Sequence, residues 1–254
     1  MTTTTDRKRE PKLTEPTIDK LHALHLGAMA AAWAAQRENP KMNEVDFDGR
    51  FGMLVDAEHL ARDNKRLARA LREAKLRLPN ACIEDIDYAA KRELDRSLVR
   101  QLGTCAWLGS HANVIITGAT GTGKSYVACA LAQQACRTGH RALYRRMPRL
   151  LEELALAHAD GTYTRLLGRL AKVAVLVLDD WGLAPLREQE RRDMLEIFED
   201  RHGSRSTIVT SQLPVETWHD YVADPTIADA LLDRVVHNAH RLKLKGPSRR
   251  KAES

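Results

Sequence analysis

The sequence predicts an α/β domain, a parallel sheet with helices on both faces, preceded by a small all-helical domain. Three observations carry that prediction. Residues 118–125, Gly-Ala-Thr-Gly-Thr-Gly-Lys-Ser, have the G-x-x-x-x-G-K-S spacing of a phosphate-binding loop, set between an apolar run (Val114-Ile115-Ile116) and a helical pattern. Downstream of this loop strand-like and helix-like segments alternate, as they do in parallel sheets. Upstream of it, apolar residues recur at helical spacing instead.

Residues 1–16, with four consecutive threonines, mixed charges and two prolines, are expected to be disordered. The helical domain is assigned to residues 17–82 and the α/β domain to 83–254. From Thr17 to Gln36 the spacing predicts one helix, with Ile18, Leu21, Ala28, Met29, Ala32 and Trp33 on one face, ended by Asn39-Pro40. A second helical region runs from Asp46 to Leu78, less regular around Gly49 and Gly52. In its later part Leu60, Leu67, Leu71, Ala74 and Leu78 form an apolar stripe, and Arg62, Lys65, Arg66, Arg69 and Arg72 lie opposite. Between 62 and 77 there are seven Lys/Arg against two acids, Asp63 and Glu73. Charge runs are commonly solvated helix faces, but such faces usually mix signs at i,i+4. A nearly single-signed stripe equally suits a phosphate backbone.

Beyond the loop, the helix from Lys124 to about Cys136 is followed by a strand over 141–147, helices over 148–159 and 163–172, and a buried strand, Val173–Leu178, ending in Asp179-Asp180. A charged helix (187–202), a strand (206–210), a helix carrying Ala228, Leu231, Leu232 and Val235, and a last strand near 241–245 complete the pattern.

Composition narrows the function classes. A hydrophobic share of 43% suffices for a packed core, and a net charge of +6 favours a polyanionic partner. The four cysteines (82, 105, 129, 136) lack metal-ligand spacing and read as reduced thiols, and the His22/His25 and His237/His240 pairs have no further ligands nearby. No apolar run reaches the roughly 18 residues of a membrane helix, and the N-terminus lacks a signal-peptide core, so a cytoplasmic location is expected.

The loop fixes the chemistry. Gly118, Gly121 and Gly123, with Ala119, Thr120 and Thr122, would turn backbone N–H groups inward as an anion nest at a helix N-terminus. Lys124 would reach the β- and γ-phosphates of a nucleoside triphosphate, and the Ser125 hydroxyl would ligate Mg²⁺. Asp179, at a strand's carboxyl end, is placed to hold the same Mg²⁺. Asp180 would polarise an attacking water or act as a second hydrogen-bond acceptor. In Thr210-Ser211-Gln212, one polar group would sense the γ-phosphate, or all three would serve the turn before Pro214.

Taken in order, the loop, LVLDDWG (176–182), IVTSQLP (208–214), LLDRVVHNAH (231–240) and RLKLKGPSRRK (241–251) resemble the IstB family. These are AAA+ ATPases that assist insertion-sequence transposition and are related to the DnaC helicase loaders. The likeness extends to residues 54–77 and 83–102 and so covers about 17–251. It implies an AAA+ core with Asp179 as Mg²⁺ ligand and Asp180 as catalytic base, where most AAA+ proteins carry Glu. It further implies Ser211 as the nucleotide sensor and Arg234 as an arginine finger acting in a neighbouring subunit of a homo-oligomer. Arg250, with Arg249 as alternate, would be the second sensor, and a full C-terminal helical lid is not expected. The partners it implies are duplex DNA and a transposase, which favours phosphate contact by the basic stripe. Helicase loading is the alternative within the fold. A small-molecule P-loop kinase is the alternative outside it, disfavoured by a basic helical module where an acceptor pocket and lid are needed.

Overall fold

The computed structural model describes residues 15–88 and 93–248. The chain divides into two compact units, residues 1–66 and 67–254. The division falls inside a helix, not at the 82/83 boundary read from sequence. Leu67, Ala70 and Leu71 belong by packing to the second unit, against the same core cluster as Ala74 and Leu76.

The first unit is helical. In place of one helix over 17–36 it has α1 (Glu15–Ala23) and α2 (Gly27–Glu38), followed by a short 3₁₀ turn over Pro40–Glu44. The break lies at His25, whose φ is +58°. The carboxylate of Glu58 accepts from the backbone N–H groups of Ala28 and Met29 at 3.0 and 3.1 Å, capping α2 from thirty residues away. Glu58 lies on α3 (Phe47–Ala74), a single helix that Gly49 and Gly52 do not interrupt. Asp46 caps its start through a 2.8 Å bond from the Gly49 N–H. Of the sequence stretch assigned to disorder, residues 1–14 lie outside the described residues, while Glu15 and Pro16 open α1.

The second unit is built on a five-stranded parallel sheet. Its strands are β1 (Asn113–Gly118), β2 (Ala142–Arg146), β3 (Val175–Trp181), β4 (Ser206–Ser211) and β5 (Ala239–Leu244), in the order β2-β3-β4-β1-β5. The apolar runs found in the sequence are its centre: Val114–Ile116 and Val175–Leu178 are fully buried. Both faces are covered, as all-parallel sheets require. One core joins the sheet to α6 (Lys124–Arg137), α4 (Arg96–Gly103) and residues 67–86. The other joins it to α7 (Met147–Asp160), α8 (Tyr163–Lys172), α9 (Glu188–Arg201), α10 (Trp218–Val222) and α11 (Pro225–Val236). A short helix, α5 (Ala106–Gly109), leads into β1. Asp224 caps α11, which has Pro225 at its first position. Among the described residues no helix is long and apolar enough to cross a membrane.

Candidate functional site

Parallel strands bring their carboxyl ends to one edge of the sheet, and the predicted residues collect there. In register, Thr117 of β1 lies beside Ser211 of β4, Ser211 beside Trp181 of β3, and Asp179 beside Arg146 of β2. The loop between β1 and α6 curls over this edge. Gly118 (φ +152°) and Gly121 (φ +83°) are conformations that side chains resist, and the space is also taken. A Cβ on Gly118 would strike the Leu244 carbonyl, and one on Gly121 would strike Ser248. Lys124 is buried, with Nζ 2.9 Å from the Ala119 carbonyl oxygen of the same loop. Thr122 also bonds that carbonyl, and Thr120 donates to Gln212 Oε1 at 2.8 Å.

The loop's last residue meets the first acid. Ser125 Oγ lies 2.8 and 2.9 Å from the two oxygens of Asp179, which is completely buried. The same carboxylate accepts from Tyr144 at 2.5 Å and from the Thr210 hydroxyl. Burial first, and then the bond to Asp179, push the Tyr144 phenol far above its usual range, so it stays a donor. Arg77 Nη1 stands 3.5 Å from Asp179 Oδ2. Burial pulls the Arg77 guanidinium down, but its bond to Tyr144 and the charges of Asp179 and Asp180 raise it on balance.

Two adjacent acids at a regular strand end would share the strand's geometry; here they do not. The β3–β4 register shifts between Leu178 and Trp181, and Asp180 has φ +66°. Asp is among the few residues that tolerate this region, and irregular strand ends of this kind re-aim side chains. The Thr210 hydroxyl supports the turn through a 3.1 Å bond from the Asp180 N–H. Asp179 thus faces Ser125, while Asp180 pairs with Arg146 Nε at 2.6 Å.

Ser211 and Gln212 are placed differently. Ser211 is fully buried, donates to the Trp181 carbonyl at 2.8 Å and accepts from the Leu213 N–H at 3.0 Å. Its hydroxyl holds the turn. Gln212, one residue on, is the group that reaches the glycine loop.

Arg234 sits elsewhere. It lies near the C-terminus of α11, and its carbonyl accepts from Asn113 Nδ2 at 3.1 Å, at the start of β1. The loop begins at the other end of that six-residue strand, so roughly 17 Å of strand separates the two. Its guanidinium pairs with Glu199, 3.0 Å from Nη2 to Oε1, and this bond raises its pKa. Arg249 and Arg250 lie outside the described residues.

The basic stripe is present but is not single-signed. Arg62, Lys65, Arg66, Arg69 and Arg72 are all exposed on α3. Arg62 pairs with Glu58 at 2.8 Å, Arg66 with Asp63, and Arg69 with Glu73 at 2.8 Å. Glu58 precedes the window that suggested a uniform sign. Leu60, assigned to the apolar stripe, is 61% exposed.

Sequence reading missed Arg77, Tyr144 and Arg146. No local pattern marks them: each is one basic or aromatic residue that parallel pairing or a chain reversal carries to the edge. The donor set suits a hard cation. No cluster of three or more His, Cys, Asp or Glu residues able to hold a metal occurs among the described residues. A serine hydroxyl beside a carboxylate, completed by phosphates, is how Mg²⁺ is commonly held.

The family model described as IstB-like ATP binding protein matches residues 19–254. A Sinorhizobium fredii protein, provisionally named as an insertion sequence ATP-binding protein, is 49% identical over 94% of this chain and 97% of its own. The protein provisionally named as the ATP-binding protein of IS1162, from Pseudomonas fluorescens, is 51% identical over 81% of this chain and 89% of its own. Among solved structures, the DnaC helicase loader superposes with a TM-score of 0.56 at 21% identity, covering 65% of this chain and 97% of that one. The replication initiator DnaA bound to AMPPCP and single-stranded DNA gives 0.53 at 18% identity, over 66% of this chain and 51% of that one. These last two are likenesses of fold.

Proposed function

The chain belongs to the IstB-like ATP-binding protein family, and on that premise we propose that it is an insertion-sequence ATPase that assembles on duplex DNA with ATP bound, assists a transposase from that complex, and comes apart on hydrolysis. The observation that carries the reading is the Ser125–Asp179 contact beside a glycine loop at the carboxyl edge of a parallel sheet. In this reading the loop N–H groups and Lys124 bind the phosphates, Lys124 leaving the Ala119 carbonyl to do so. Ser125 and Asp179 would hold Mg²⁺, which would offset phosphate charge. Asp180 orients and deprotonates the attacking water once it parts from Arg146, and Gln212 takes the sensor's place beside the terminal phosphate.

Arg234 is too far along β1 to serve its own loop, which supports an arginine finger that completes a neighbour's site. A homo-oligomer is then part of the mechanism. The exposed arginines and Lys65 on α3 suit a phosphate backbone and offer no base-reading motif, so binding would be driven by charge and shape. Transposition is favoured over helicase loading because the half-identical relatives carry insertion-sequence names, whereas the helicase loader shares only the fold.

Sizing by light scattering with duplex DNA tests the reading. Wild-type protein is expected to form a larger complex with ATP than with ADP, and Lys124→Ala, unable to bind ATP, should form neither complex nor product. A particle whose size ignores the nucleotide would sink the assembly mechanism.

A further inference from the structure

Asp179 has no vacancy for an additional ligand. Its two oxygens receive the hydroxyls of Ser125, Thr210 and Tyr144, and the Arg77 guanidinium stands 3.5 Å from Oδ2. A carboxylate offers about four acceptor sites. For this one to hold a hydrated cation, one of its present contacts must open. The three hydroxyls are neutral and close. Arg77 is the longest contact and the one that carries positive charge, and its side chain is 42% exposed whereas Asp179 is fully buried. A second cation arriving at Asp179 would therefore displace Arg77 first.

The backbone gives Arg77 this position. Helix α3 ends at Ala74, Lys75 turns the chain at φ +51°, and Ala74, Leu76 and Ala81 are buried in the core that includes α6. The segment is anchored on both sides of Arg77, so a released guanidinium stays at the cleft.

We propose that Arg77 is a built-in placeholder for the divalent cation: it neutralises Asp179 while no cation is bound there and gives way to Mg²⁺ when the nucleotide arrives. This rests on the ATP-site reading above. It makes Arg77 a residue of the nucleotide site contributed from upstream of the glycine loop, one that composition and motif give no reason to single out.

The test is binding, with the full chain and a fluorescent, non-hydrolysable ATP analogue, titrated in EDTA and in saturating MgCl₂. In EDTA a neutral residue at 77 leaves the Asp179 charge facing the phosphates; with Mg²⁺ it removes a competitor for Asp179. Arg77→Gln should therefore increase the ratio of the EDTA Kd to the Mg²⁺ Kd, by about ten-fold for a partly exposed charge contact. It should also lower the Mg²⁺ concentration needed for half-maximal binding. Arg77→Lys, which keeps the charge, should stay near wild type. Arg77→Ala is the second neutral variant, and each variant's thermal midpoint shows that it folds. An equal ratio in wild type and in whichever neutral variant folds would overturn the placeholder. Failure of wild-type protein to bind the analogue in either condition would instead overturn the ATP-site reading, and the placeholder with it.

Discussion

Asn113→Ala tests a side-chain link that ties Arg234 to the sheet. Asn113 is 8% exposed, and its side chain makes three bonds: Nδ2 donates to the Arg234 and Val235 carbonyls at 3.1 Å each, and Oδ1 accepts from the Thr207 N–H at 2.9 Å. It therefore ties β1 both to β4 and to the end of α11. Alanine strands one buried N–H and two helix-end carbonyls, and a buried unsatisfied group costs roughly 1–3 kcal/mol. The carbonyls, at a helix terminus, regain some water, so a total of about 2–4 kcal/mol is expected. For a unit of this size, 1 kcal/mol moves the midpoint by roughly 2–4 °C, giving a drop of about 5–15 °C. Circular-dichroism melting reads this directly. Nucleotide affinity, measured well below the midpoint, should hold, because the glycine loop lies at the far end of β1. Assembly-dependent turnover should fall as α11 loosens. A midpoint within about 2 °C of wild type would show that Asn113 is not the anchor, and the argument from its three bonds would fail.

Arg234→Ala should spare ATP binding yet reduce turnover by roughly 10³-fold, the lower end for arginine fingers; unchanged turnover refutes the in-trans role. Replacing Arg62, Arg66 and Arg69 with Glu should weaken duplex binding and flatten the salt dependence by up to about 0.9 per lost phosphate contact. Because those three already pair with acids, Lys65→Glu with Arg72→Glu should cost more affinity per residue, and equal duplex affinity in all variants would remove the stripe from the interface. Gln212→Ala should reduce turnover with little change in melting, whereas Ser211→Ala should lower stability by about 1–3 kcal/mol through the unsupported Leu213 N–H. The opposite pattern would restore Ser211 as the sensor.

What was legible in the sequence was local. The glycine spacing and the apolar runs that became β1 and β3 state their structure within a few residues. What was not legible depends on pairs distant in the chain. Glu58 caps α2 from thirty positions away, and locally only Gly27, at the first position of α2, hints at the break. Ser211 and Gln212 are both polar and adjacent, and only the pairing with Trp181 decides which one turns inward. Tyr144 and Arg146 read as ordinary strand residues until β2 is laid beside β3. Asp180 looked like a simple strand end, and its left-handed backbone is visible only where the register slips.

The two ends of β1 also set an arithmetic for assembly. If Arg234 is such a finger, a subunit with finger and loop at opposite ends of a strand has a polarity, and it would offer different surfaces to the neighbours on its two sides. A two-fold dimer pairs a surface with itself; head-to-tail stacking does not, and it either closes into a ring or grows as a helix. If Arg234 serves the next subunit, an open stack of n copies holds n − 1 complete sites and one that waits for a finger. Turnover per copy would then rise with stack length, steeply at first and levelling off, and a single copy would be nearly silent. The incomplete site marks the growing end, where the next subunit would bring its arginine.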